Sequence, residues 1–143
     1  MTDQPNQYKF DEIKIGLEYK FTEMITESHL DSFAKLSGDY NPLHMDAGYA
    51  KTTRFKKRIC HGMLLASFFS KLVGMHMPGK NALYFSQTLN FQNPCFVDDT
   101  ITVRGQVVDK SDSTKIITLN TSIHNQNGMC LVDGTAKVMI RQD

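Results

Sequence analysis

Asp39 and His44 stand five residues apart in the segment Ser37-Gly38-Asp39-Tyr40-Asn41-Pro42-Leu43-His44-Met45-Asp46, with Asn41-Pro42 stiffening the backbone between them. A carboxylate and an imidazole at this spacing can hold one water and couple proton removal to proton delivery. About 15 residues later His61-Gly62 opens a long apolar run. A glycine amide at a helix N-terminus is a preoriented donor for negative charge developing on an oxygen. Together these groups are the equipment for adding water next to an activated carbonyl. The same residues also have a purely structural reading, in which Asp39 and Asn41 are turn formers and His44 and His61 are partly exposed framework residues. Spacing alone leaves both open.

Other chemistries fit less well. There is no Cys-x-x-Cys and no His-Glu-x-x-His, and the spacing of His44, Asp46 and His61 matches no standard metal site. Phosphate-loop and dinucleotide fingerprints are absent. Cys60 precedes His61, but neighbouring side chains in an extended chain point apart, so adjacency does not make a dyad and a buried, inert thiol is expected. His61-Gly62-Met63-Leu64-Leu65-Ala66-Ser67 does not match the Gly-x-Ser-x-Gly elbow.

The elements that must position these groups can be read from periodicity. Residues 1–18 form an irregular leading segment, and Tyr19 to Ile25 alternates like a strand. Thr26 is a credible N-cap for a short helix carrying Leu30, Phe33, Ala34 and Leu36 on one stripe, with Gly38 as its left-handed stop. Ala47, Tyr49 and Ala50 suit a further helical turn. His61 to Met75 is the one long apolar helix; apolar on most of its circumference, it is expected to be buried, and Pro78-Gly79 ends it. From Ala82 the period becomes two, predicting strands over Leu83 to Phe91, Thr100 to Val108, Lys115 to Ile123 and Met129 to Ile140. Turn signals between them imply consecutive hairpins, hence an α+β fold with an antiparallel sheet wrapped around one helix.

With 143 residues the chain suits one domain. Its formal charge of +1 offers no global attraction to nucleic acid or anionic membrane. That balance conceals an asymmetry: residues 1–50 sum to −5, residues 51–80 to +7 and residues 81–143 to −1. A positive island on a near-neutral chain suits a small anionic ligand. The polar start and three well-separated cysteines, Cys60, Cys95 and Cys130, predict a cytoplasmic protein with reduced thiols, and the Met63–Met77 stretch is too short and too polar to span a bilayer.

The loop, followed by Ala50, Phe55, Ile59 and His61-Gly62-Met63-Leu64-Leu65-Ala66-Ser67, resembles the hydratase-2 motif of MaoC-like (R)-specific enoyl-CoA hydratases. The similarity runs on through Pro78-Gly79-Lys80 and Phe96-Val97-Asp98-Asp99-Thr100, and is strongest toward the short, single-domain members that feed polyhydroxyalkanoate synthesis. It implies a hot-dog fold around a helix at His61 to Met77, and a homodimer with the acyl-thioester tunnel at or near the subunit interface. Asp39 and His44 become the catalytic pair and the Gly62 amide the oxyanion donor. Asn41 braces the loop, His61 belongs to the substrate-binding set, and Ser70 and Val73 face the acyl chain.

The implied reaction is reversible syn hydration of a trans-2-enoyl-CoA to a (3R)-3-hydroxyacyl-CoA. No metal, nucleotide or redox cofactor is required, and coenzyme A enters as part of the substrate. The nearest alternative is a dehydratase acting on acyl carrier protein thioesters. A thioesterase leaves the Asp–Asn–Pro–His loop unexplained, and a non-catalytic acyl-thioester-binding module is the alternative from another class. The chain departs from the family pattern between Lys51 and Arg58, which is unusually basic. Lys56, Lys57 and Arg58 are therefore candidate contacts for the coenzyme A phosphates, against a bland reading as a solvated loop.

Overall fold

Period-two apolarity becomes the body of one antiparallel sheet in the computed structural model, which describes residues 3–143. Met1 and Thr2 of the leading segment lie outside the described residues. The strands are β1 (Glu18–Met24), β2 (Ala82–Gln87), β3 (Asn90–Phe91), β4 (Thr100–Ser111), β5 (Ile116–His124) and β6 (Cys130–Ile140). They pair in the order β1-β4-β5-β6-β2, with β3 also on β6. Alternate residues Ile101, Val103 and Val107 of β4, Ile117, Leu119 and Ile123 of β5, and Val132, Ala136, Val138 and Ile140 of β6 are buried on one concave face. Registers such as Val103↔Ile123 and Leu119↔Ala136 bring these side chains into cross-strand contact. This curved sheet around a central helix is the hot-dog fold.

The central helix, α4 (Gly62–Lys71), continues through a wider π-helical turn at Leu72–His76. There the Met77 amide reaches back five residues to the Leu72 carbonyl, at 2.9 Å, and Leu72, Val73 and Met77 are all buried. The expectation of a helix buried all round is corrected. Leu64, Leu65, Phe69, Leu72 and Val73 face the sheet, whereas Met63, Ser67 and Ser70 lie on the opposite stripe, and Met63 is 57% exposed. Composition counted apolar residues around the circumference but not which stripe the sheet would cover.

Before it come α1 (Glu27–Ser37), the single turns α2 (Pro42–Met45) and α3 (Ala47–Lys51). Thr26 caps α1 as expected, its hydroxyl accepting the His29 amide at 3.2 Å while the His29 ring accepts the Thr26 amide at 3.0 Å. Gly38 ends α1 at φ 82°. Leu36 is a correction: it is 86% exposed, because the turn at Gly38 leaves no layer above it. The predicted strand over Leu83 to Phe91 is broken into β2 and β3, with a register shift at Tyr84/Ser86. The leading segment is also anchored: Phe10 and Ile13 fill the core at the far end of the helix, and Lys110 Nζ donates to both their carbonyls at 3.0 and 2.6 Å. Among the described residues no helix is long and apolar enough to cross a membrane.

Candidate active site

Gly38 turns the chain out of α1, and short polar side chains then take over the backbone's hydrogen bonds. The Asp39 amide donates to Ser37 Oγ at 3.2 Å, the Asn41 amide to Asp39 Oδ1 at 3.1 Å, and the Leu43 amide to Asn41 Oδ1 at 3.0 Å. Asn41 thus caps α2, whose first residue, Pro42, needs no amide partner. The turn-forming reading of Asp39 and Asn41 and the chemical reading coexist. One oxygen of Asp39 shapes the loop, and the exposed carboxylate keeps a second oxygen for another partner.

The two imidazoles are fixed by carbonyls that accept and cannot donate. His44 Nδ1 lies 2.9 Å from the Ile59 carbonyl, so Nδ1 carries the proton and Nε2 presents a lone pair. His61 Nε2 lies 3.1 Å from the Asp39 carbonyl, so its proton sits on Nε2. The rings pack at a 30° tilt with centroids 4.2 Å apart, and Phe33 packs against His61 at 4.9 Å. His61 therefore touches both members of the pair, holding the Asp39 backbone and backing the His44 ring. It is 1% exposed and its Nδ1 is buried without a partner, which corrects the picture of a partly exposed framework residue. Burial holds its pKa below the ordinary histidine range, and the neighbouring His44 acts in the same direction.

Gly62 is the first residue of α4, so its amide has no acceptor within the helix and stands at the positive end of the helix dipole. It lines a groove of about 270 Å³ together with Ile59, Cys60, Leu65, Phe91 and Cys95. A β-carbon at position 62 would lie 2.8 Å from the Phe91 ring, so only glycine lets the ring lie over the helix start. Cys60 and Cys95 are buried, and the hydrogen bond with Cys60, followed by burial, pushes the Cys95 thiol up, as an inert thiol requires.

Ser70 lines a second groove of about 400 Å³, walled by Phe33, Met63, Ala66, Tyr84 and Leu89. Phe33 is common to this groove and to the His61 contact, so one side chain separates the groove from the paired imidazoles. Val73 is not in it. At 1% exposure it packs with Phe10, Ile13, Val107 and Ile117, because the π turn rotates it toward the sheet. The expected acyl contact at Val73 is replaced by a packing role.

The basic island divides in two. Lys51, Lys56 and Lys57 rim an open groove of about 340 Å³ beside Glu27 and Val97. Lys57 also lies over the Phe96 ring at 4.7 Å. Arg58 lines the same groove, but its side chain is only 15% exposed and its Nε donates to the His44 carbonyl at 2.5 Å. To the expected phosphate contact the structure adds a brace on the loop backbone. Sequence reasoning did not reach the Ile59 carbonyl or Phe91. A backbone acceptor carries no side-chain signal, and Phe91 read as one more apolar strand residue.

Residues 10–128 match the family described as MaoC like domain. The chain is 40% identical to the (R)-specific enoyl-CoA hydratase of Aeromonas caviae, over 90% of this chain and 96% of that protein. The solved R-hydratase from Pseudomonas aeruginosa superposes with a TM-score of 0.92 at 36% identity, covering 99% of this chain and 90% of that one. The mitochondrial 3-hydroxyacyl-[acyl-carrier-protein] dehydratase of Arabidopsis thaliana is 30% identical, over 90% of this chain and 78% of that protein. With a family match spanning most of its length and the motif residues folded into one loop-and-helix site, the chain belongs to the MaoC-like family.

Proposed function

We propose that this chain, acting as one domain, is an (R)-specific enoyl-CoA hydratase that adds water reversibly to a trans-2-enoyl thioester. The observation that carries the reading is the His44 tautomer. With Nδ1–H spent on the Ile59 carbonyl, Nε2 keeps its lone pair, and the Asp39 carboxylate keeps one oxygen that the loop does not use. A water held by Asp39 and His44 attacks C3, and Nε2 takes its proton. The electron pair of the double bond moves to the thioester oxygen, where the Gly62 amide receives the charge. The proton returns to C2 on the face from which it came, which makes the addition syn. The thioester itself supplies the activation, so the chemistry calls for no cofactor. Hydratase relatives at 39–40% identity, against 30–35% for the carrier-protein dehydratases, support coenzyme A over acyl carrier protein.

Two further parts belong to this reading. Lys56 and Lys57 meet the phosphates of coenzyme A at the groove that they rim. A second copy covers β2, an edge strand on which Leu83, Tyr84 and Phe85 face outward, Phe85 being 63% exposed. That partner closes the open side of the Ser70 groove, which Tyr84 helps to wall. Three free cysteines are consistent with a cytoplasmic setting. Incubation with crotonyl-CoA tests the reading. Loss of enoyl absorbance supports it, whereas free thiol indicates a thioesterase and binding without turnover a non-catalytic acyl-thioester-binding module.

A further inference from the structure

The geometry points to Arg58 as a positioning residue for His44, a role that rests on the hydratase reading of that histidine. The single turn α2 that carries His44 contributes no fully buried residue, and the partial packing of Met45 on the core and of the His44 ring on His61 does not by itself orient its backbone. Hydrogen bonds from residues 58 and 59 do. Arg58 Nε donates to the His44 carbonyl at 2.5 Å, the Ile59 amide donates to the Leu43 carbonyl at 3.3 Å, and His44 Nδ1 donates to the Ile59 carbonyl at 2.9 Å. The ring contact aims Nε2, and the Arg58 contact pins the backbone from which the ring pivots. The remaining arms of the guanidinium reach the Met45 sulfur at 3.7 Å, Glu27 at 3.8 Å and Asp31 at 3.7 Å. One planar side chain therefore ties α1 to α2 and sets the orientation of the base.

The ion pairs do not explain the arrangement energetically. Glu27 and Asp31 are 73% and 67% exposed, and pairs at such a surface add little to stability. What they do is hold the guanidinium plane so that Nε meets one carbonyl. Lysine would keep the charge but not the fork, since its ammonium is a single mobile donor group.

The test compares the wild-type protein with Arg58→Met, Arg58→Lys, His44→Ala and Arg58→Met/His44→Ala on crotonyl-CoA and on crotonyl-N-acetylcysteamine, which lacks every phosphate. Misplacing a base by a fraction of an ångström lowers kcat, so Arg58→Met is expected to lose about tenfold or more in kcat on both substrates, with KM nearly unchanged. In the His44→Ala background the same substitution is expected to cost less than about twofold, because the group that it positions is gone. A general folding defect would cost the same factor in both backgrounds and would overturn the inference. So would a rise in KM confined to crotonyl-CoA, which would return Arg58 to the phosphates. If Arg58→Met does not fold, Arg58→Lys decides: a folded protein with several-fold lower kcat supports positioning, and unchanged kcat refutes it. Failure of the hydratase reading itself is seen separately, as absence of turnover by the wild-type protein, and removes both.

Discussion

His61→Phe separates what the site costs in stability from what it supplies to catalysis. Phenylalanine keeps a flat ring against His44 and Phe33, where the ring centroids lie 4.2 and 4.9 Å away. It removes the hydrogen bond to the Asp39 carbonyl, worth about 1 kcal/mol net, and Asp39 is exposed, so water can take the bond over. It also removes Nδ1, a buried acceptor without a partner, which costs the folded protein about 1–3 kcal/mol. The balance is a stability unchanged or raised by up to about 2 kcal/mol, a shift in Tm of roughly 0–8 °C for a chain of this size. Activity moves the other way: with Asp39 no longer held, kcat on crotonyl-CoA is expected to fall about tenfold to a hundredfold.

The pH dependence adds an independent sign. The folded pKa of His61 lies below its ordinary value near 6.5, so between the two the unfolded chain binds more protons than the folded one. Stability therefore rises with pH through that window and is lost as pH falls from about 6.5 toward the folded pKa. His76, depressed chiefly by burial and then by Lys71, contributes with the same sign. In His61→Phe the acid-side slope of Tm against pH, followed by circular dichroism, is expected to be shallower than in the wild-type protein and to keep the His76 part. A Tm lowered by more than about 5 °C with full activity would make His61 an ordinary core residue and refute the reasoning.

The groove assignments give two more expectations. Ser70→Phe fills the apolar groove and should depress kcat/KM on eight-carbon more than on four-carbon enoyl substrates, while Val73→Phe, placed in the packed core, should lower stability by about 1–3 kcal/mol without chain-length selectivity. Neutralising Lys56 and Lys57 together should raise KM for crotonyl-CoA several-fold at low salt, with an effect that shrinks as salt rises and is absent on crotonyl-N-acetylcysteamine.

Much of the fold was legible because it follows from local chemistry. The Thr26 cap, the Gly38 stop and the period-two faces of β4 to β6 depend on neighbours in sequence, and each is where the residues put it. What was illegible depended on long-range placement. The exposed stripe of α4 arises because the sheet covers only the opposite side, and the register shift at Tyr84/Ser86 and the break after Gln87 depend on how the segment meets β6. At the site, the Asp39–His44 spacing left a structural and a chemical reading open, and the resemblance of the surrounding motif favoured the second. The spacing of charges between Lys51 and Arg58 could not show that one of the five turns inward to the His44 carbonyl. The His44 tautomer was likewise out of reach, since it is set by the carbonyl of Ile59, fifteen residues away.

The central claim is that a water held by Asp39 and His44 is delivered to C3 of an enoyl thioester with one handedness. Chiral chromatography of the product from crotonyl-CoA, run in parallel for the wild-type protein, Asp39→Asn and His44→Ala, tests it most directly. The account predicts (3R)-3-hydroxybutyryl-CoA from the wild-type protein and at least about a 100-fold lower rate in each folded variant. The (3S) product, or wild-type rates in either variant, would contradict it.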